Sequence, residues 1–487
     1  MKKSMFVLVV LVFTSASVFA AGVDLTGVGV RSTNLGGNYR AVSNDWSGMF
    51  WNPAGLVFSK GLKVGGSLEF IKPVSSYLPA KSLANQQFSG TGTTAIENEP
   101  KTFLMPAFGI YYSTEKYAVG LGFWAPFGLG AKWDLLNTSA YNSAYPQFEF
   151  EDDLKVMALQ PTFAVKLKNN LSLGLGVTLL YADIMIRKPN FTPNPYIYDN
   201  NLRSAAAALL PAAALTSPND HLLTESLLNG DGMGFGLNAG LQWKPVPTLT
   251  LGLSTRYYNT IALDGTVSAT TYFATNLAAH QQIDKSFKPI IMARTDLDAA
   301  SKAALINFYS GATYPRYPEM DVKADMPLPL NVGAGFAFTG IKNLLITGDV
   351  AMTQWSAWDV IEVKDTDGKL INQLTQNWED GIRMGVGMEY DLGLLKARLS
   401  FYSEPRAAIN ETMTITIPDV NRRNVGIVGL GIPVGPATIG IMYERMFISD
   451  LTVDSWVLDA TKSGYDNMAG DYTMSVNNFM IGLDFNF

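Results

Sequence analysis

Few side chains in this 487-residue sequence have the types or spacing that covalent chemistry needs. There is no cysteine, which removes disulfides, thiolate nucleophiles, Cys-ligated zinc and iron–sulfur clusters. The two histidines, His221 and His280, cannot build a three-His metal site. Neither adjoins a nucleophile motif, which argues against a serine–histidine hydrolase. Asp365-Thr366-Asp367-Gly368 opens like a calcium loop but lacks the later ligands, so it reads as a turn at a loop tip. No phosphate-cradling loop is present, and no cofactor is expected. Lys and Arg number 36 against 42 Asp and Glu, with no basic block, so a nucleic-acid footprint has no support. What remains is backbone chemistry: Pro126 has no amide N–H, and Gly128 follows it across Phe127 with no side chain.

The elements that must position these residues are strands. Residues 1–20 carry Lys2 and Lys3, an apolar run from Met5 to Phe13 and small residues ending Val18-Phe19-Ala20, the pattern of a secretory signal cleaved after Ala20. The run is too short to span a bilayer as a helix, and no later apolar stretch is long enough either. Instead the sequence alternates. Leu171, Leu173, Leu175, Val177, Leu179 and Tyr181 share one face, opposite Ser172, Gly174, Gly176 and Thr178. Met233 to Trp243, Ile382 to Tyr390 and Leu395 to Tyr402 do the same.

A soluble sandwich would also alternate, with its apolar face inward, so parity alone leaves both architectures open. The last strand favours a membrane barrel, because Phe479, Ile481, Leu483, Phe485 and Phe487 form an apolar face ending in an aromatic residue. About fourteen strand segments run from 61–72 to 473–487, including 116–132, 248–270, 320–339 and 343–363. Tight turns such as Ser113-Thr114-Glu115 and Asp391-Leu392-Gly393 alternate with long connections. Short periplasmic turns and long extracellular loops give this rhythm, which predicts an all-β transmembrane antiparallel barrel in the outer membrane with both termini periplasmic.

Two long connections carry helical patterns. Positions 188–231 hold an alanine-rich stretch from Ser204 to Leu215, then Leu222, Leu223, Leu227 and Leu228 at helix-like spacing. Positions 271–319 hold a second pattern from Leu297 to Tyr309. Such extracellular helices could cap the mouth by burying their apolar faces on each other, or offer a hydrophobic ligand a landing surface. Ahead of the first strand, residues 21–57 are glycine-rich, lack alternation and are too long for a simple tail. The barrel lumen is the place available to them.

That segment ends Trp51-Asn52-Pro53-Ala54-Gly55-Leu56, preceded by Asn44-Asp45-Trp46-Ser47-Gly48. Here the chain resembles the FadL/TodX family of outer-membrane transporters for long-chain fatty acids and other hydrophobic compounds. The resemblance continues through Phe123-Trp124-Ala125-Pro126-Phe127-Gly128-Leu129, Gly234 to Gly240, Leu328-Pro329-Leu330, Trp355-Ser356 and Ile417-Pro418-Asp419. It implies a signal peptide at 1–20, a hatch at 21–57 that plugs the lumen, and a barrel at 58–487. It also implies passive uptake of a hydrophobic cargo, most often a long-chain fatty acid. The rival reading is a general or aromatic-compound diffusion porin.

In the family a kink in the third strand opens the wall sideways toward the bilayer. Pro126, Phe127 and Gly128 occupy the matching place, where an ordinary bulge is the alternative. The resemblance sets Asn52, Pro53 and Ala54 beside that kink and Val23 and Leu25 in the ligand pocket. Lumen parity adds Arg256, Arg383 and Arg398 as cations for a carboxylate head group, with Glu69, Asp349, Glu389 and Glu444 available to neutralise them in a charge ladder. The expected partners are a hydrophobic small molecule, outer-membrane lipid and the barrel-assembly machinery, with the barrel working as a monomer.

Overall fold

The computed structural model describes residues 23–25, 27–80, 94–135, 145–216, 219, 221–417, 419–455 and 467–487. The signal expected at 1–20 lies outside them, as does Pro418.

Fourteen strands close into one antiparallel barrel. In chain order they are β1 Gly61–Pro79, β2 Phe103–Ser113, β3 Tyr117–Trp133, β4 Phe150–Lys168, β5 Leu171–Pro193, β6 His221–Val246 and β7 Leu249–Tyr258. Then follow β8 Asn331–Ile341, β9 Leu344–Thr353, β10 Gly381–Asp391, β11 Lys396–Glu404, β12 Arg423–Val434, β13 Ala437–Ile448 and β14 Gly470–Asn486. Each pairs with the next, and the ring closes where β1 meets β14 along Lys63↔Asn486 to Pro79↔Gly470. Closure leaves no strand of the wall without a neighbour on each side, as a bilayer requires.

The parity of burial settles the choice between barrel and sandwich. Leu173, Leu175, Val177 and Leu179 are exposed on the outer face, as are Phe479, Ile481 and Leu483. Ser172, Thr178, Asn238 and Gln242 are buried inside. An apolar outside and a polar inside invert a water-soluble protein and fit a lipid-facing wall.

Three segments expected as continuous differ. The 248–270, 320–339 and 343–363 segments each break, at Asn259-Thr260, at Pro327 to Leu330 and at Gln354 to Asp359. Pro327 and Pro329 lack the N–H a ladder needs. Beyond the breaks, Ile261–Tyr272, Thr313–Met326 and Val360–Asp365 continue as strands, with Leu370–Thr375 added as a hairpin partner. Leu222 to Leu228 are strand rather than helix, because β6 runs past the expected start and pairs with both β5 and Ile261–Tyr272. The long ladder overrides local spacing. The alanine-rich stretch does form helix over Arg203–Leu209, and Ala299–Ile306 is helical too. Both bury apolar residues in a cluster separate from the barrel core, with Tyr196, Ile283, Phe287 and Phe308.

Residues 27–58 fold as short helices and turns whose backbone groups are satisfied by inward-facing side chains of the wall. Gln160 Nε2 donates to the Met49 carbonyl at 2.7 Å, Asn238 Nδ2 to those of Met49 and Phe50, and Gln242 Nε2 to that of Arg40. Ser172 and Ser254 hydroxyls donate to the carbonyls of Ala54 and Trp51. An irregular backbone cannot supply all of its own partners, so the polar inner face of the strands supplies others. Arg31 and Arg398 both pair with Glu389, at 2.9 and 2.7 Å, fixing the segment to β10 and β11.

Candidate functional site

The third strand is where the wall departs from regularity. The β2–β3 ladder runs only from Ser113↔Ala118 to Phe108↔Phe123. Among the described residues no ladder pair joins Phe103–Ala107 to the rest of β3. On the other side, the β3–β4 register slips between Trp124 and Phe127, leaving Ala125 and Pro126 unpaired with β4. Pro126 offers no N–H, so a continuous ladder is broken there chemically.

The amino-terminal segment takes up the vacated partnership. Leu25 donates its amide to the Pro126 carbonyl at 2.9 Å, and Gly128 donates to the Val23 carbonyl at 3.2 Å, making an antiparallel bridge between Asp24 and Phe127. An added Cβ at Gly128 would stand 2.9 Å from Leu25 Cδ1. The strand thus exchanges β2 for Val23–Leu25, and a stretch without ladder pairs remains between β2 and β3. Its lower edge is the stacked pair Phe108 and Phe123, with centroids 5.1 Å apart. At its upper edge Glu99 donates to the Lys132 carbonyl at 2.8 Å.

Beside this stretch lies a cavity of about 500 Å³, within the roughly 300–1,000 Å³ usual for small-molecule sites. Its lining is largely apolar, including Ile71, Phe103, Leu129, Met157, Met446 and Met474. Val23, Leu25 and Gly128 contribute to it. Phe127 instead turns its ring into the lumen against Tyr258 and Trp355, at 5.6 and 6.2 Å.

The expected cations divide. Arg256 stacks over Phe50 at 4.0 Å and Arg383 over Tyr402 at 3.8 Å. Both border a narrow crevice beside the cavity, with Asp24 and Glu404 between. Arg398 is committed to Glu389 and lines neither space. Burial raises the Asp24 carboxyl above its ordinary range, opposed by the charges of Arg256, Arg383 and Arg423.

Asn52, Pro53 and Ala54 sit away from the kink. Asn52 Oδ1 caps the following 3-10 turn by accepting from Ala54 N, while its Nδ2 donates to the carbonyls of Arg40 and Leu241. The turn rests on β5 and β6, where an added Cβ at Gly174 would come within 2.4 Å of Ala54 N and one at Gly240 within 1.9 Å of Asn52 Oδ1. Only glycine lets the two backbones approach so closely. The position beside the kink, expected for this motif, belongs to Val23–Leu25.

Arg423, Asp419 and Glu404 also line the cavity, and sequence reasoning passed over them as site residues. Asp419 belongs to the connection between β11 and β12, which folds into the barrel mouth: Trp133 Nε1 donates to the Ile415 carbonyl and Thr412 to that of Gln376. Ile417-Pro418-Asp419 marked this connection in the sequence, but nothing there reveals that it turns inward. Among the described residues no group of three or more His, Asp or Glu side chains could hold a metal ion.

The sequence pattern of a family described as outer membrane protein transport protein (OMPP1/FadL/TodX) matches residues 10–487. The 47 kDa outer membrane protein of Pasteurella multocida is 26% identical over 345 residues, 66% of this chain and 65% of that protein. The long-chain fatty acid transport protein of Salmonella typhi is 25% identical over 321 residues, 62% of each chain. The matches thus span just under two thirds of these two relatives. Among solved structures, a Pseudomonas aeruginosa FadL homologue superposes with a TM-score of 0.71 at 16% identity, covering 96% of this chain and 100% of that one. The Pseudomonas putida toluene transporter TodX gives 0.64 at 13%, covering 96% and 99%. At such identities these structures bear on the fold alone.

Proposed function

This chain belongs to the OMPP1/FadL/TodX family of outer membrane transport proteins, and we propose that it takes up hydrophobic compounds passively, releasing them sideways into the membrane between β2 and β3. A hydrophobic solute gains nothing from a wide aqueous pore, because leaving water is what drives it. It needs an apolar holding site that opens toward lipid. The observation that carries this reading is the end of the β2–β3 ladder at Phe108↔Phe123, directly in front of an apolar cavity.

In this scheme residues 21–57 act as a hatch within the barrel formed by 58–487, denying ions and water an axial path. Cargo enters at the extracellular end, rests among Leu25, Phe103 and Met474, and leaves through the opening. The chain works as a monomer with both termini in the periplasm and is inserted by the barrel-assembly machinery. The cargo is an elongated or aromatic hydrophobe: one relative is named for long-chain fatty acids and one structural neighbour for toluene.

Uptake of labelled hexadecane, palmitate and toluene by cells that lack other routes tests the proposal, alongside single-channel recording of the purified protein. Uptake of at least one compound with little ion conductance is expected. Steady, large conductance without selective uptake would return the diffusion-porin reading.

A further inference from the structure

We infer that the cavity selects uncharged hydrophobes and disfavours ionised carboxylates, and that Asp419 and Glu404 impose this selection. The inference rests on the transport reading above and narrows its cargo.

A carboxylate head group entering an apolar site must find a cation that is not already neutralised, since burying an unpaired charge is costly. Three cations line the cavity: Lys101, Lys155 and Arg423. Five carboxylates line it with them: Asp24, Glu69, Asp153, Glu404 and Asp419. Lys101 and Lys155 are half-exposed and share Asp153 at 3.5 and 3.0 Å. The deep cation is Arg423, and a carboxylate of the protein already holds it: its Nη2 lies 3.2 Å from Asp419 Oδ1. Glu404 is its cross-strand partner in the β11–β12 ladder.

An incoming carboxylate would therefore have to displace Asp419. That side chain is not free to move away, because its other oxygen accepts the amides of Ala407 and Ala408 in the inward-folded connection. Displacement would leave a second buried anion beside Glu404. The arginines of the neighbouring crevice do not relieve this: Arg256 and Arg383 face Asp24 and Glu404 and stack on Phe50 and Tyr402, and Arg40 pairs with Asp349 at 3.7 Å. Discrimination by an existing repulsive charge is a common route to specificity. An alkane, an arene or an ester meets only the apolar lining and avoids the conflict.

Methyl palmitate and palmitate share the same chain and differ in charge, so their comparison isolates the head group. Binding of each to the purified full-length barrel at pH 8, followed by native mass spectrometry, should favour the ester by about tenfold or more, the factor that roughly 1.4 kcal/mol of discrimination gives. In Glu404→Gln, Asp419→Asn protein the guanidinium of Arg423 becomes available, and the preference should shrink by about tenfold, as expected for one charge-assisted hydrogen bond. Palmitate binding as tightly as the ester in the wild type would overturn the inference while leaving transport intact. An ester preference unchanged in the folded double variant would remove Asp419 and Glu404 as its source. Binding of neither compound would overturn the transport reading itself.

Discussion

The amide of Leu25 reaches the carbonyl of Pro126 at 2.9 Å, so the kink in the third strand is held by the amino-terminal segment and not by β2. Together with the bond from Gly128 to Val23, this ties the stretch of β3 without a β2 partner to the position of the segment. A strand that lost these partners would leave two backbone groups buried without hydrogen bonds, which costs on the order of 1–3 kcal/mol each. The segment and the kink should therefore move together.

The first prediction concerns the segment as a whole. Deleting residues 23–57 removes Trp46, Phe50 and Trp51 from the lumen along with every carbonyl that Gln160, Asn238 and Gln242 satisfy. The polar inner face is then left to water. In planar bilayers the deletion protein should show stable ion conductance where the wild type is nearly silent. Equal conductance of the two would mean that the segment does not seal the barrel.

The second concerns the seat of Asn52 to Ala54. Gly174→Val inserts a branched side chain where even a Cβ meets Ala54 N and Pro53 C at 2.4 Å. Overpacking of this kind costs about 1–3 kcal/mol. The denaturation midpoint should fall and leak conductance should rise, since the turn is pushed off the wall. Gly426→Val, where an added Cβ meets nothing nearer than Phe447 Cε2 at 3.8 Å, tests whether any glycine substitution has the same effect and should raise no leak.

The third concerns the ion triad. Glu389→Gln removes the one carboxylate that Arg31 and Arg398 share, leaving two guanidinium groups without it in the lumen. Loss of one partner from a buried pair costs about 3–5 kcal/mol. Thermal unfolding, read from the heat-modifiable shift on gels, should occur at a clearly lower temperature. An Arg398→Lys variant keeps the charge and should lose less.

These effects also show how far the sequence could be read. Alternation in 171–181 and 479–487 revealed the wall because a strand between lipid and a polar lumen has no other pattern available. The kink was legible because Pro126 lacks a donor whatever its surroundings. The partner of that kink was not. Val23 to Leu25 meet Pro126 and Gly128 across about a hundred residues through backbone atoms, and backbone contacts leave little trace in residue types. Arg398 looked available for a ligand because parity puts it inside, but parity says nothing of Arg31, which approaches Glu389 from the segment. Arg423 went unnoticed because the connection bearing Asp419 turns inward only when the whole mouth is assembled.

The last prediction joins the kink to transport. Pro126→Val restores an amide donor to the third strand, and Gly128→Val adds a β-branched side chain that favours a continuous ladder. The same valine meets Leu25, whose Cδ1 lies 2.9 Å from the nearest position of a Cβ, so it also loosens the competing partner. Both changes push the strand back toward β2. The double variant should assemble to normal surface levels, retain heat modifiability and lose uptake of hydrophobic cargo to the level of cells lacking the protein. One ambiguity is removed by a further substitution: Leu25→Ala in the double variant relieves the clash. Uptake that stays lost assigns the defect to the closed wall, whereas uptake that returns assigns it to the clash at Leu25. Uptake at the wild-type rate by the assembled double variant would rule out the sideways route, because a wall repaired at Pro126 and Gly128 leaves cargo no path between β2 and β3.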